Sequence, residues 1–93
     1  MRIALDWDDT WTKDPALWAT FVRLTKHHHH DVRIVTYRRP SGVPEIEDEL
    51  ARYFLEIPVI ATNHNPKRAA CRALGWDPHV WIDDMPELIV RGE

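Results

Sequence analysis

Arg2-Ile3-Ala4-Leu5-Asp6-Trp7-Asp8-Asp9-Thr10 is the stretch on which the fold turns. Three apolar residues run directly into three carboxylates within four positions. The apolar part reads as a buried strand over residues 3–5, and the acidic part as the loop at its carboxyl end. Carboxylates packed this closely repel one another. A hard divalent cation such as Mg²⁺ relieves that repulsion and takes oxygen ligands of this kind. In an open parallel sheet, ligands bind just beyond the carboxyl ends of the strands. The stretch therefore has two readings, a metal site at a strand end or a solvated acidic turn, and the rest of the chain must decide between them.

Outward from this segment, strand and helix patterns alternate. Asp14-Pro15 opens a helix, because Asp is a good N-cap and Pro is favoured in the first turn. Leu17, Trp18, Phe21 and Val22, flanked by Leu24, form its apolar stripe, and the pattern fades near Lys26. Four histidines follow, His27 to His30. They read either as an exposed helix end, where cationic character suits the helix dipole, or as a metal-capturing tract. Residues 32–36 are β-branched and mostly apolar, a second strand. Breakers place residues 37–42 in a loop. Residues 43–54 read as a helix with Ile46, Leu50 and Tyr53 or Phe54 on one face and an acidic, solvated opposite face. Residues 58–62 form a short strand that starts at a proline, a feature of sheet edges. Asn65-Pro66 repeats the cap-plus-proline signal. Ala69, Ala70, Ala73 and Leu74 are the expected packing residues of that third helix, which Gly75 ends. Residues 79–82 form the fourth strand, and a last helical turn begins at Pro86.

Strands separated by helical segments imply a parallel sheet covered on both faces. The expected architecture is α/β: a three-layer Rossmann-like sheet of four strands, order 3-2-1-4, forming a single domain over residues 1–93 without a cap. A chain of 93 residues has room for little else. With 44% apolar and 29% charged residues it reads as a soluble globular protein. No apolar run is long enough for a membrane span. The N-terminus enters a strand at once, so no signal peptide is expected. A lone cysteine, Cys71, forms no internal disulfide, suits a reducing cytoplasm and reads as a buried packing residue. The net charge of −3 argues against a protein that lives by phosphate-backbone contacts, and leaves nucleotide substrates open. Among five tryptophans, Trp18 and Trp81 fall on core-facing patterns, while Trp7, Trp11 and Trp76 lie near loops, lining a pocket or covering the core edge.

The residues that follow the strands belong on one edge of such a sheet. Asp6, Asp8, Asp9 and Thr10 follow the first. Thr36 ends the second, with Arg38 and Arg39 just beyond. Lys67 opens the helix after the third, and Asp83 and Asp84 follow the fourth. Clustered carboxylates, a hydroxyl and a fixed cation suit phosphoryl chemistry, where catalysis is mostly positioning and charge neutralisation.

In this order the residues resemble the four motifs of the haloacid dehalogenase (HAD) superfamily of phosphohydrolases. Asp6-Trp7-Asp8-Asp9-Thr10 is similar to the first motif, Asp-x-Asp-x-Thr. Thr36 is similar to the second, Lys67 to the third and Asp83-Asp84 to the fourth. Each motif alone is common; the ordered set on matching strands spans nearly the whole chain. The resemblance implies Asp6 as the nucleophile of an aspartyl-phosphate route and Asp8 as the general acid and then base. It implies Thr36 and Lys67 as phosphate-binding and orienting groups. It implies Mg²⁺ held by Asp6, the backbone carbonyl of Asp8, and Asp83 or Asp84. Asp9 departs from the pattern by standing where the family usually has glycine. Intervals of about thirty residues between the first and second motifs, and between the second and third, leave room only for single-helix crossovers. The site is then open, with Trp11, Thr12 and Lys13 as its nearest approach to a flap. Arg38 and Arg39 are candidates for bidentate phosphate recognition or ordinary surface arginines. His64 is a second candidate for the crevice.

The expected function is Mg²⁺-dependent phosphomonoester hydrolysis. The expected partner is a phosphorylated small molecule, with a nucleotide or a nucleic-acid end as alternatives. A receiver-like module that accepts and holds a phosphoryl group uses similar residues in a different order. A non-catalytic binding protein of the same fold is the remaining alternative. The chain is expected to be a monomer or a homodimer, the latter through an edge strand at Val59-Ile60.

Overall fold

The computed structural model describes residues 1–93. Four strands form one all-parallel sheet: β1 Arg2–Leu5, β2 Asp31–Thr36, β3 Val59–Ala61 and β4 Val80–Ile82, in the order β3-β2-β1-β4. The connecting helices are α1 Pro15–His27, α2 Val43–Arg52 and α3 Lys67–Ala73, with a last short helix α4 Glu87–Val90 after β4. This is the small Rossmann-like α/β architecture expected from the sequence, and each crossover carries one α-helix, preceded in the first two by a 3-10 turn, with no inserted cap. No helix is long and apolar enough to cross a membrane.

Successive strand residues point to opposite faces of a sheet. That alternation splits the core in two. Ile3, Leu5, Val32 and Ile34 face α1 and α2, joining Ala19, Val22, Ile46 and Leu50. Ala4, Val35 and Ile60 face the other way, joining Cys71 and Trp76. A sheet buried on both faces is what the near-continuous apolar strands require. Cys71 is fully buried, and its burial pushes the thiol up to about 11, so it packs rather than reacts.

The tryptophans near loops all turn inward. Trp7 and Trp11 are buried and stacked at 5.0 Å, and Tyr53 meets Trp11 edge-on. They cap the α1/α2 core directly beneath the acidic loop, which ties that loop to the most bulky part of the interior. Trp76 is buried against α3, donates from Nε1 to Asp31 at 3.0 Å and carries the Arg33 guanidinium over its ring at 4.6 Å.

Local signals were partly overridden. Asp14 caps α1 as expected, its carboxylate accepting from the Leu17 N–H at 3.2 Å, and Gly75 ends α3 with a φ of 73°. Asn65 does not cap α3. Its side chain donates back to the Thr62 carbonyl, and the helix begins at Lys67. The packing face of α3 differs as well: Lys67 and Cys71 are buried, while Ala69, Ala73 and Leu74 are exposed. Burying Lys67 turns the helix so that residues one turn apart, 67 and 71, face the sheet. On α1, Ala19 and Val22 are buried whereas Leu17 and Leu24 are exposed. Helix α2 stops at Arg52, and Phe54 is exposed at a left-handed φ of 58°. Proline-led β3 is a sheet edge, as its sequence implies. His27, His28 and His29 form the exposed end of α1, and His30 reaches the N-terminal amine of Met1.

Candidate functional site

The same alternation that divides the core aims the acidic residues. Ala4 faces α3, so Asp6, two residues on, emerges on the α3 side of the strand end. Trp81 faces α3 as well, so Asp83 emerges on that side too. Lys67 is the first residue of α3 and lies between them. Its Nζ donates to Asp6 Oδ1 at 2.7 Å and to Asp83 Oδ2 at 2.6 Å, and the lysine is only 1% exposed. A lysine is almost never this buried without anionic partners. Two carboxylates from two strands provide them.

Asp84 falls on the other side of its strand. There the Thr10 hydroxyl donates to Asp6 Oδ2 at 3.0 Å and lies 3.5 Å from Asp84 Oδ1. Asp83 is further held by the Met85 N–H at 2.9 Å. Of the three carboxylates, Asp84 alone is exposed and has no fixed cation beside it. Ligand oxygens of Asp6, Asp83 and Asp84 lie within 4.8 Å of one another. Burial pushes the Asp6 carboxyl up to about 6, and a hydrogen bond shared with Asp84 adds to the rise against the opposing pull of Lys67. Lys67 therefore offsets only part of the negative charge. Hard oxygen donors in surplus over cationic charge are the donor set that Mg²⁺ requires, so these residues fit that ion.

Asp8 is placed differently. Its carboxylate is held by the Arg38 guanidinium through a two-pronged contact, Nε to Oδ2 at 2.9 Å and Nη2 to Oδ1 at 2.7 Å. Arg38 Nη1 reaches Glu45 of α2 at 3.2 Å. These anions raise the affinity of Arg38 for its proton still further, Asp8 contributing most. The Asp8 side chain is thus outside the three-carboxylate cluster, although the residue lines the same cleft. Thr36 lies beneath: it is buried, does not line the cleft, and its hydroxyl oxygen accepts the Arg38 N–H at 3.3 Å. Asp9 has a φ of 63°, in the left-handed region that glycine enters most easily. Aspartate tolerates it better than most residues. The Asp9 N–H donates to Thr12 Oγ1 at 2.9 Å, and its carboxylate is solvent-facing near Lys13.

The cleft between these groups is small, about 80 Å³, and is lined by Asp6, Asp8, Asp9 and Lys67 with Asp83 and Asp84 opposite. Tyr37, Met85 and Leu88 complete its rim. Neither Glu45, the second partner of Arg38, nor Tyr37 on the cleft rim was legible in the sequence as a site residue. Glu45 reads in the sequence as one of a run of solvated acids. Tyr37 reads as the first residue of a loop, and its one signal is its place directly after Thr36. No protein-family model, curated protein or solved structure gives a significant match to this chain.

Proposed function

We propose that the chain is a cap-less, Mg²⁺-dependent phosphohydrolase of the HAD type that works through an aspartyl-phosphate on Asp6. The observation that carries this reading is the buried Lys67, fixed within 2.7 Å of both Asp6 and Asp83 at the mouth of a carboxylate cluster. A cation locked there holds one oxygen of Asp6, and the other, which accepts from the Thr10 hydroxyl, is the oxygen that would attack phosphorus. Asp6 and Asp84, with Asp83 beside them, are the carboxylates that would hold Mg²⁺. When bound, the ion neutralises phosphate charge as the ester is cleaved.

The chain's own groups account for the rest. An Asp6 oxygen forms a bond to phosphorus as the ester P–O bond breaks, and Asp8 gives its proton to the departing oxygen. Water then attacks phosphorus, Asp8 takes its proton, and phosphate leaves with Asp6 restored. For Asp8 to carry the first proton it must leave the Arg38 fork. An incoming phosphate ester competes for that guanidinium, which suits bidentate recognition of phosphate. Arg38 then serves as a substrate-binding group that trades Asp8 for the ester. Thr36 positions Arg38 through its backbone N–H.

The test is hydrolysis of a generic aryl phosphate by the native chain and by Asp6→Asn, with Mg²⁺ and with chelator. Metal-dependent turnover in the native chain, reduced by at least about a thousandfold in Asp6→Asn, is the expected result. Turnover that survives the substitution would remove Asp6 as nucleophile and the reading with it.

A further inference from the structure

The cleft takes a phosphoryl group and little more. Its volume of about 80 Å³ is small beside the roughly 300–1,000 Å³ of pockets that enclose a whole small molecule. Anything esterified to the phosphate must therefore lie on the rim. One side of that rim is aromatic. Tyr37 lines the cleft at the end of β2, and the imidazole of His64, from the loop after β3, stacks on it with centroids 5.0 Å apart and planes 6° from parallel. The pair does not arise from core packing, since His64 is exposed and Tyr37 only half-buried.

The loop backbone takes an uncommon conformation to make it. Asn63 and His64 are consecutive non-glycine residues in the left-handed region, with φ of 55° and 65°. Asn and His enter this region more readily than most residues, and backbone hydrogen bonds hold them in it. Here the His64 N–H donates to the Tyr37 carbonyl at 2.9 Å and the Asn63 N–H to the Arg38 carbonyl at 3.0 Å. Two loops are zipped together so that a flat ring is displayed beside the phosphoryl cleft.

We infer that Tyr37 and His64 form a stacking platform for a planar ring carried by the phosphorylated substrate, so that the cleft prefers ring-bearing phosphate esters over ring-less ones. The inference rests on reading the Asp6 cleft as a phosphoryl site and names the class of group it accepts. Aromatic stacking is sequence-tolerant because every planar ring has a π-face. Nucleosides and aryl alcohols both present such a ring, and a nucleotide adds a sugar spacer between ring and phosphate.

Phosphonates separate binding from turnover, because their C–P bond survives P–O hydrolysis. Calorimetric titration of the Mg²⁺-loaded native chain compares phenylphosphonate and 5′-deoxyadenosine 5′-phosphonate, whose phosphorus is bonded directly to C5′, with methylphosphonate. The expected result is at least about tenfold tighter binding of one ring-bearing ligand than of methylphosphonate. Which of the two gains most distinguishes an aryl ester from a nucleotide. The advantage is lost in Tyr37→Leu and kept in Tyr37→Phe, a difference that a merely structural tyrosine would not produce. His64→Gly, which relieves rather than adds backbone strain, provides a well-folded second variant and reduces the advantage too. Equal affinity for all three ligands, or an advantage that survives both Tyr37→Leu and His64→Gly, overturns the platform. Ring preference without hydrolysis of either an aryl phosphate or a nucleoside 5′-monophosphate overturns the phosphohydrolase and leaves the platform standing. Hydrolysis without ring preference does the reverse.

Discussion

Two ion-pair systems flank the same cleft, and they differ in almost everything except their chemistry. Lys67 joins Asp6 and Asp83 with all three side chains between 1% and 7% exposed. Arg38 joins Asp8 and Glu45 with side chains 30%, 52% and 79% exposed. Water screens the second system and keeps it exchangeable, so each pair there is worth little to stability. The first system has no such relief. Its charges are desolvated, and removing one partner strands the others. The cleft thus has a rigid wall, where charges are fixed, and a compliant wall, where a guanidinium can change partners. That division suits the proposed reaction, in which Asp6 is held still while an anion is admitted.

The largest test of this contrast is Lys67→Met. It leaves Asp6 and Asp83 without their cation, and we expect a loss of about 3–5 kcal/mol in chemical denaturation at pH 7 in chelator. Mg²⁺ should recover part of it. A loss under about 1 kcal/mol would mean that the buried wall is no more rigid than the exposed one.

The second test uses protons. Burial, helped by Asp84, raises Asp6 from 3.8 when unfolded to about 6 when folded. A raised carboxyl favours the folded state in its protonated form. That contribution is complete below pH 3.8 and is lost as pH rises through about 6. The loss amounts to about 3 kcal/mol in the metal-free chain. It appears as the difference between the stability–pH curves of the native chain and Asp6→Asn. Saturating Mg²⁺ should flatten that difference, because the ion favours the ionised form. Parallel curves without metal would contradict a desolvated Asp6.

The smallest effects belong to the compliant wall. Arg38→Gln should change stability by less than about 1 kcal/mol and Glu45→Gln by a few tenths. In turnover assays, Arg38→Gln should raise KM for an aryl phosphate more than it lowers kcat, as expected for a group that receives substrate. An unchanged KM would return Arg38 to the status of a surface arginine.

Much of this wall-by-wall arrangement follows from patterns visible in the chain. The alternation of apolar runs with capped amphipathic segments specifies a parallel sheet. The polar residues after each run then have to share an edge, because parallel strands all end on the same side. Asp6, Lys67, Asp83 and Asp84 are legible on that ground alone. Local patterns also place the Asp14 cap and the Gly75 stop, whose partners lie within a few residues.

What the sequence could not decide involves partners distant along the chain. Asp83 and Asp84 are adjacent and chemically identical. Only the direction of β4 in the sheet sends one to Lys67 and the other toward Thr10. Arg38 and Asp8 are separated by 30 residues, and Tyr37 and His64 by 27. Each pair meets only because β1, β2 and β3 are neighbours in the sheet. Periodicity reports which face a residue occupies on its own element. Which carboxylate meets a cation, and which ring stacks on which, depends on how those faces are brought together, and that is a property of tertiary structure.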